Sequence, residues 1–195
     1  MGDYLDWKRA YWRGFLVDTG HARVLDPAWQ LDGRVLDAGC GPAGVFTVLA
    51  KASVTGVDPL LDDYDALPHF DRTAYPNVHW VSRPLEAYAP ERPYEYVFCL
   101  NVINHVRDLS RVLRTLTRAL TPGGTLVLSV DAHRFAPLRW VFALVPGDVL
   151  HPHQLTVAQY ESVCTEAGLR LTAKRRYRRG AIFDYWVLTL RRAHD

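Results

Sequence analysis

The sequence predicts an α/β fold, with strands and helices alternating along the chain. Three stretches carry that prediction. The first is Arg34-Val-Leu-Asp-Ala-Gly-Cys-Gly-Pro-Ala-Gly-Val-Phe46, apolar at Val35 and Leu36 and then broken by Gly39, Gly41 and Gly44. A strand, a glycine turn and a helix form a ligand-binding corner: glycine lets backbone approach a ligand, and the first helical amides point at it. The second is Tyr94-Glu-Tyr-Val-Phe-Cys-Leu100, apolar without a break after Glu95, as suits a central parallel strand buried on both faces. The third is the stripe Leu109, Val112, Leu113, Leu116 and Leu120, at spacings of three and four, with Arg111, Arg114 and Arg118 on the other side.

Composition narrows the class. The chain has 195 residues, the size of one domain with one core, and 49% of them are apolar, which excludes a disordered chain. A formal net charge of +2 provides no field that would demand nucleic acid or a membrane as partner. Cys40, Cys99 and Cys164 are odd in number and lack metal-ligand spacing, so they read as small buried hydrophobes in a reducing cytoplasm. The N-terminal residues lack the apolar run of a signal peptide, and no apolar stretch is long enough to span a bilayer. The sequence assigns no oligomeric state.

The remaining elements follow in order. Residues 3 to 25 place Tyr4, Leu5, Trp7, Tyr11, Trp12, Phe15, Leu16 and Val17 at mostly helical spacings, which predicts one or two helices packed on the domain. Val45, Phe46, Val48, Leu49 and Ala50 read as the buried side of the helix after the glycines. Ser53 to Asp58 is a short strand ending in an acid, residues 60 to 76 are a short helix and loop, and Val78 to Val81 is a third strand. Asp108 caps the arginine-rich helix, and Thr121-Pro-Gly-Gly124 stops it before the strand Thr125 to Val130. Thr156 and Gln159 form a capping-box pattern for a helix over 157–167, ended by Gly168. Leu169 to Arg179 and Ala181 to Arg191 are a final pair of strands; the basic run Lys174 to Arg179 reads as a solvated face.

The corner fits two ligand classes. Gly39, Gly41 and Gly44 match the spacing of a dinucleotide fingerprint. Asp37 at the mouth of the turn opposes a pyrophosphate and favours a cation. Asp58, roughly 20 residues beyond the glycines, suits the ribose of either nucleoside.

Val35-Leu36-Asp37-Ala38-Gly39-Cys40-Gly41-Pro42-Ala43-Gly44 resembles motif I of the class I S-adenosylmethionine-dependent methyltransferases. Ala43 stands where a glycine is usual. Glu95 holds a position where an aspartate is common, and Asn101 and Asn104 stand where acids are frequent, while His105 matches a family histidine. The helix, Pro-Gly-Gly and apolar strand from 109 to 130 are a further signature. The resemblance implies a Rossmann-like α/β sandwich with a seven-stranded, mostly parallel sheet and an antiparallel last strand. It implies one methyltransferase domain over 1–195, with a helical cap over 1–30 and an acceptor-side lid over 132–155.

It also implies that S-adenosylmethionine lies against Asp37, Ala38, Gly39, Cys40, Gly41, Asp58, Pro59, Leu85, Glu86 and Asn101, with S-adenosylhomocysteine as product. Tyr11 or Arg13 would reach the methionine end. The implied reaction is in-line methyl transfer, helped mainly by alignment and exclusion of water. His105, His151 and His153 are the candidates for a general base. His151 and His153 have no third partner at metal-ligand spacing, so no metal site is predicted. Motifs of amino- and carbon-methylating nucleic-acid enzymes are absent, which favours a small-molecule acceptor. A nicotinamide-dependent oxidoreductase, or a non-catalytic domain that binds the cofactor or a protein, are the alternatives.

Overall fold

Each central strand feeds two cores by its period-2 alternation. In a computed structural model, which describes residues 2–133 and 155–193, Leu36, Val97, Leu126, Leu128 and Leu188 enter one buried cluster. Their chain neighbours Val35, Phe98, Val127 and Val187 enter the other. A strand buried on both faces needs cover on both, and the intervening helices supply it.

The strands are β1 (Arg34–Ala38), β2 (Ser53–Val57), β3 (Val78–Val81), β4 (Tyr94–Leu100), β5 (Leu120–His133), β6 (Leu169–Arg178) and β7 (Phe183–Arg192). They form one seven-stranded sheet in the order β3-β2-β1-β4-β5-β7-β6. β3, β2, β1, β4 and β5 pair in parallel. Among the described strands β7 alone is reversed, pairing antiparallel with β5 and β6. The chain therefore winds outward from β1 to β3, then crosses to β4. That reversal opens a crevice beyond the carboxyl ends of β1 and β4, the place where open α/β sheets bind ligands.

The helices are α1 (Gly2–Asp18), α2 (Pro27–Gln30), α3 (Leu61–Tyr64), α4 (Leu109–Ala119) and α5 (Val157–Glu166). α1 buries Trp12, Phe15 and Leu16 in the cluster with Val35. α4 buries the predicted stripe and α5 buries Tyr160 and Cys164 in the other cluster. Asp108 caps α4 by accepting from the Arg111 amide at 2.8 Å. Thr156 and Gln159 make the capping box at the start of α5. The charged strand β6 lies at the sheet edge, where charged side chains discourage pairing with another chain.

The structure corrects one predicted element. The glycine turn leads into a single 3-10 turn, Val45–Val48, rather than an α-helix, and Ala50 is exposed. The return from the end of β1 to the start of β2 must run back along a five-residue strand, about 16 Å. An α-helix over 45–52 would cover about 12 Å; here one 3-10 turn of about 8 Å is followed by the non-helical residues 49–52, which complete the return. β5 is also longer than predicted, taking in Thr121 to Gly124. The predicted lid over 132–155 falls almost entirely outside the described residues.

The connection between the glycine turn and β2 is clamped from β3. Asn77 donates through Nδ2 to the carbonyls of Leu49 at 2.7 Å and Ala52 at 2.9 Å. Asn77→Ala is expected to lower the stability of the whole domain by about 1–3 kcal/mol, since two bonds are lost and their carbonyls must find other donors. Urea unfolding would show this as a lower midpoint at unchanged slope. An unchanged midpoint would contradict the clamp.

Candidate active site

The glycine turn is shaped by what surrounds it. Gly39 has φ of 74°, and a Cβ there would lie 2.3 Å from a methyl of Val102, just after β4. The amides of Gly39 and Cys40 donate to the Val57 carbonyl at 2.7 and 3.2 Å, which joins the turn to the end of β2. A Cβ on Gly44 would sit 2.3 Å from the Cys40 carbonyl oxygen and 2.6 Å from Asp37 Oδ2. Gly41 differs: its φ is 56°, but a Cβ there would meet nothing within 4 Å. Gly39 and Gly44 are therefore fixed by packing inside the protein, while Gly41 borders open space.

That space is a cavity of about 1080 Å³, lined by the turn and by residues from α1 and the ends of β4, β5, β6 and β7. Asp37 forms part of its floor rather than its mouth. It is 3% exposed, and its Oδ2 accepts from the Phe46 amide at 3.0 Å. Burial pushes its carboxyl up to about 7, opposed by the Phe46 amide and assisted by the charge of Asp58. Asp58 stands just beyond β2. Its Oδ2 accepts from the Gly41 amide and its Oδ1 from the Leu60 amide, each at 3.0 Å. The Tyr64 phenol also lies against this carboxylate, whose remaining acceptor capacity suits a ligand hydroxyl. Pro59, Leu60 and Tyr64 continue this wall. The Tyr64 phenol is pushed up to about 12, by burial first and then by Asp58.

Across the cavity stand Leu85 and Glu86. Leu85 is buried. Glu86 has a structural contact not foreseen: its Oε1 accepts from the amides of Arg107 at 2.7 Å and Asp108 at 3.4 Å, fixing the approach to α4. Asn101 lies in the left-handed region at φ 59°, which asparagine tolerates better than most residues, and its amide donates to Ser129 Oγ at 2.8 Å. Asn104 is buried and structural, donating to the Asp131 carbonyl at 3.0 Å and accepting from Tyr160 at 3.1 Å. His105 lines the cavity. Glu95 is remote from it, at the amino end of β4, where it accepts from the Arg34 amide at 2.6 Å.

The structure thus gathers Asp37, Gly39, Cys40, Gly41, Asp58, Pro59, Leu85, Glu86, Asn101 and His105 around one cavity. The Ala38 side chain is fully buried in the core on the α4 side and is not among the residues that line the cavity. His151 and His153 lie outside the described residues. Arg13 is exposed and does not line the cavity, whereas Tyr11 does.

Several lining residues were missed. Trp12 donates through Nε1 to the Ala43 carbonyl at 2.8 Å, pinning α1 to the glycine turn. Tyr4, Trp7 and Lys8 of α1 line the opening. Asp131, Tyr177, Arg178 and Tyr185 form the far end. Tyr185 donates to Ser129 Oγ at 2.6 Å. One signal was available for Asp131: it directly follows an apolar strand run, as Asp58 does after β2.

A methyltransferase-domain family matches residues 10–174, most of the chain. A trans-aconitate 2-methyltransferase from Azoarcus sp. (strain BH72) is 29% identical over 182 residues, which cover 77% of this chain and 70% of that protein. A ubiquinone biosynthesis O-methyltransferase from Hydrogenovibrio crunogenus is 30% identical over 150 residues, covering 70% of this chain and 62% of that protein. A Burkholderia thailandensis 1,6-didemethyltoxoflavin-N1-methyltransferase, solved with 1,6-didemethyltoxoflavin and S-adenosylhomocysteine, has the same fold. Its TM-score is 0.64 at 18% identity, covering 99% of this chain and 90% of that one. With the sheet order, the glycine turn and the acids at the ends of β1 and β2, these matches give the conclusion: the chain belongs to the class I S-adenosylmethionine-dependent methyltransferase family.

Proposed function

We propose that this chain methylates a small-molecule acceptor held between α1 and the ends of β4, β5 and β7, with S-adenosylmethionine over the glycine turn. The observation that carries the reading is the open space beside Gly41, flanked by the amide-anchored carboxylate of Asp58. The residues fit the cofactor. Asp58 would take its ribose hydroxyls, Leu85 and Val102 would flank the base, and Asp37 beneath the turn would favour the cationic methionine end. Glu86 spends one oxygen on the Arg107 and Asp108 amides, which leaves the other to meet the base. S-adenosylmethionine supplies an activated methyl group on a sulfonium.

The chain's own residues have to bind, orient and keep out water. Trp12 and the Ala43 carbonyl hold α1 over the turn. His105 and Asp131 both line the cavity and are the groups to accept a proton from an acceptor O–H or N–H. The departures at Glu95 and Asn104 do not remove the site, since one is at the far end of β4 and the other secures α5 to β5. A nicotinamide dinucleotide would place its phosphates near buried Asp37, which disfavours the oxidoreductase reading. Among the described residues no helix is long and apolar enough to cross a membrane. Cytoplasmic placement is part of the proposal, supported by three free, buried cysteines.

Residue-level tests follow from this assignment. Asp58→Ala is expected to weaken S-adenosylmethionine binding by at least about tenfold, through lost charge-assisted hydrogen bonds and a loosened turn. Unchanged affinity in calorimetry would sink the ribose assignment.

Asp37 predicts a pH dependence. A cation beside it favours the ionised carboxyl, so affinity should rise as pH increases through about 7. The sign for stability is opposite: the folded state binds the extra proton between the ordinary 3.8 and about 7, so this group's contribution falls as pH rises through that window. Asp37→Asn should flatten both profiles; a wild-type-like pH slope in the variant would contradict the role.

For the chemical step, Asp131→Asn and His105→Ala are each compared in single-turnover transfer of labelled methyl. A drop of about 100-fold in one of them identifies the proton acceptor. Full rates in both would leave alignment alone as the mechanism.

A further inference from the structure

One end of the cavity is more specific than methyl transfer requires. α1 and the β6–β7 pair together present a run of rings. Trp7 and Tyr11 have centroids 6.0 Å apart, Tyr11 and Phe15 6.2 Å, Phe15 and Tyr177 5.2 Å, and Tyr177 and Tyr185 6.1 Å. The Arg178 guanidinium lies 5.8 Å from the Tyr185 ring centroid. Tyr11, Tyr177, Arg178 and Tyr185 all line the cavity. Among the described residues Arg178 forms no ion pair, and the hydroxyls of Tyr11 and Tyr177 have no hydrogen-bond partner.

We propose that this end of the cavity recognises a planar acceptor bearing a carboxylate, with Arg178 as the anion-binding group and the tyrosines as flat walls and hydroxyl donors. The inference rests on the cofactor lying over the glycine turn, which leaves this end to the acceptor.

The chemistry selects the charge. Three of the lining carboxylates, Asp37, Asp58 and Glu86, accept backbone amides elsewhere in the cavity. Among the described residues none of them forms an ion pair with Arg178. A guanidinium over an aromatic ring is weakly hydrated and offers a planar fork of donors that matches a carboxylate. Burial raises the Tyr11 phenol, and the charges of Tyr177 and Arg178 also act on it. Burial raises the Tyr185 phenol first, against its hydrogen bond to Ser129, and the charges of Tyr11, Asp131 and Arg178 act on it less. The Tyr11 and Tyr177 phenols, both raised by burial first, stay protonated and able to donate at neutral pH, whereas the Tyr185 hydroxyl already donates to Ser129 Oγ and serves as a wall. Tyrosine rings from α1, β6 and β7 border this part of the cavity, and a planar ligand stacks on such rings without conformational cost. Asp131 is the carboxylate at this end that opposes the assignment, and it would favour an amine instead. The choice between them is the test.

The protein is saturated with S-adenosylhomocysteine and titrated calorimetrically with trans-cinnamate, cinnamyl alcohol, cinnamylamine and cyclohexanecarboxylate. Cinnamate is expected to bind at least about tenfold more tightly than each of the others. Arg178→Ala should erase that preference, Arg178→Lys should restore part of it, and both should keep wild-type affinity for S-adenosylhomocysteine. Three results would overturn the proposal: no cinnamate binding at millimolar concentration, tighter binding of cinnamylamine, or an Arg178→Ala protein that still prefers cinnamate. A wild-type protein that fails to bind S-adenosylhomocysteine removes the cofactor reading itself and this inference with it, so the two failures are told apart by the first titration.

Discussion

The structure depends on a steric constraint at the end of β1. There the chain must turn within contact of β2 on one side and β4 on the other. Val102 leaves no room for a Cβ on Gly39, and the Cys40 carbonyl and Asp37 leave none on Gly44. The turn is then fastened to β2 by two amides on the Val57 carbonyl and by the Gly41 amide on Asp58. Because the turn is held this closely, the Gly41 backbone borders open space at the one place where the sheet's winding reverses. The cavity is a consequence of that geometry, and the acids at the ends of β1 and β2 reach it because their strands end there.

Charge is arranged along the cavity rather than spread over it. On the glycine side, Asp37, Asp58 and Glu86 are each anchored by a backbone amide, so their positions are fixed before any ligand arrives. Such preorganisation spares the site the cost of ordering those groups on binding. The opposite end carries Arg178 and a wall of tyrosines from elements far apart in the chain. α1 connects the two ends. Trp12 ties it to the turn, while Tyr11 reaches the β6–β7 side, so a shift of this helix would alter both ends at once.

Much of this was legible in the sequence, for local reasons. The strands at Ser53 and Val78, the both-faces-buried strand from Tyr94 to Leu100 and the stripe of α4 follow from periodicity, which depends only on near neighbours. Asp37, Gly41 and Asp58 were legible because motif and strand end coincide. The helix expected after Gly44 was not formed, since the length of the return path to β2 overrides the apolar pattern of Val45 to Leu49. Tyr177 and Arg178 were hidden in a basic run that reads as a solvated edge. Only the pairing of β6 with β7, and the placing of Tyr177 beside Phe15 of α1, bring them to the cavity. Glu86 and Asn104 looked like site residues or departures from a pattern, but their hydrogen bonds to distant backbone and side-chain groups give them structural work that no spacing rule reveals.

The central claim is that the corner between β1, β2 and β4 holds an adenosyl sulfonium rather than a dinucleotide. Calorimetric titration of the purified protein with S-adenosylmethionine, S-adenosylhomocysteine and NADH tests it directly. The account predicts one-to-one binding of the first two and none of NADH. Binding of NADH without either adenosyl compound would contradict it, and would mean that buried Asp37 does not oppose phosphate at this turn.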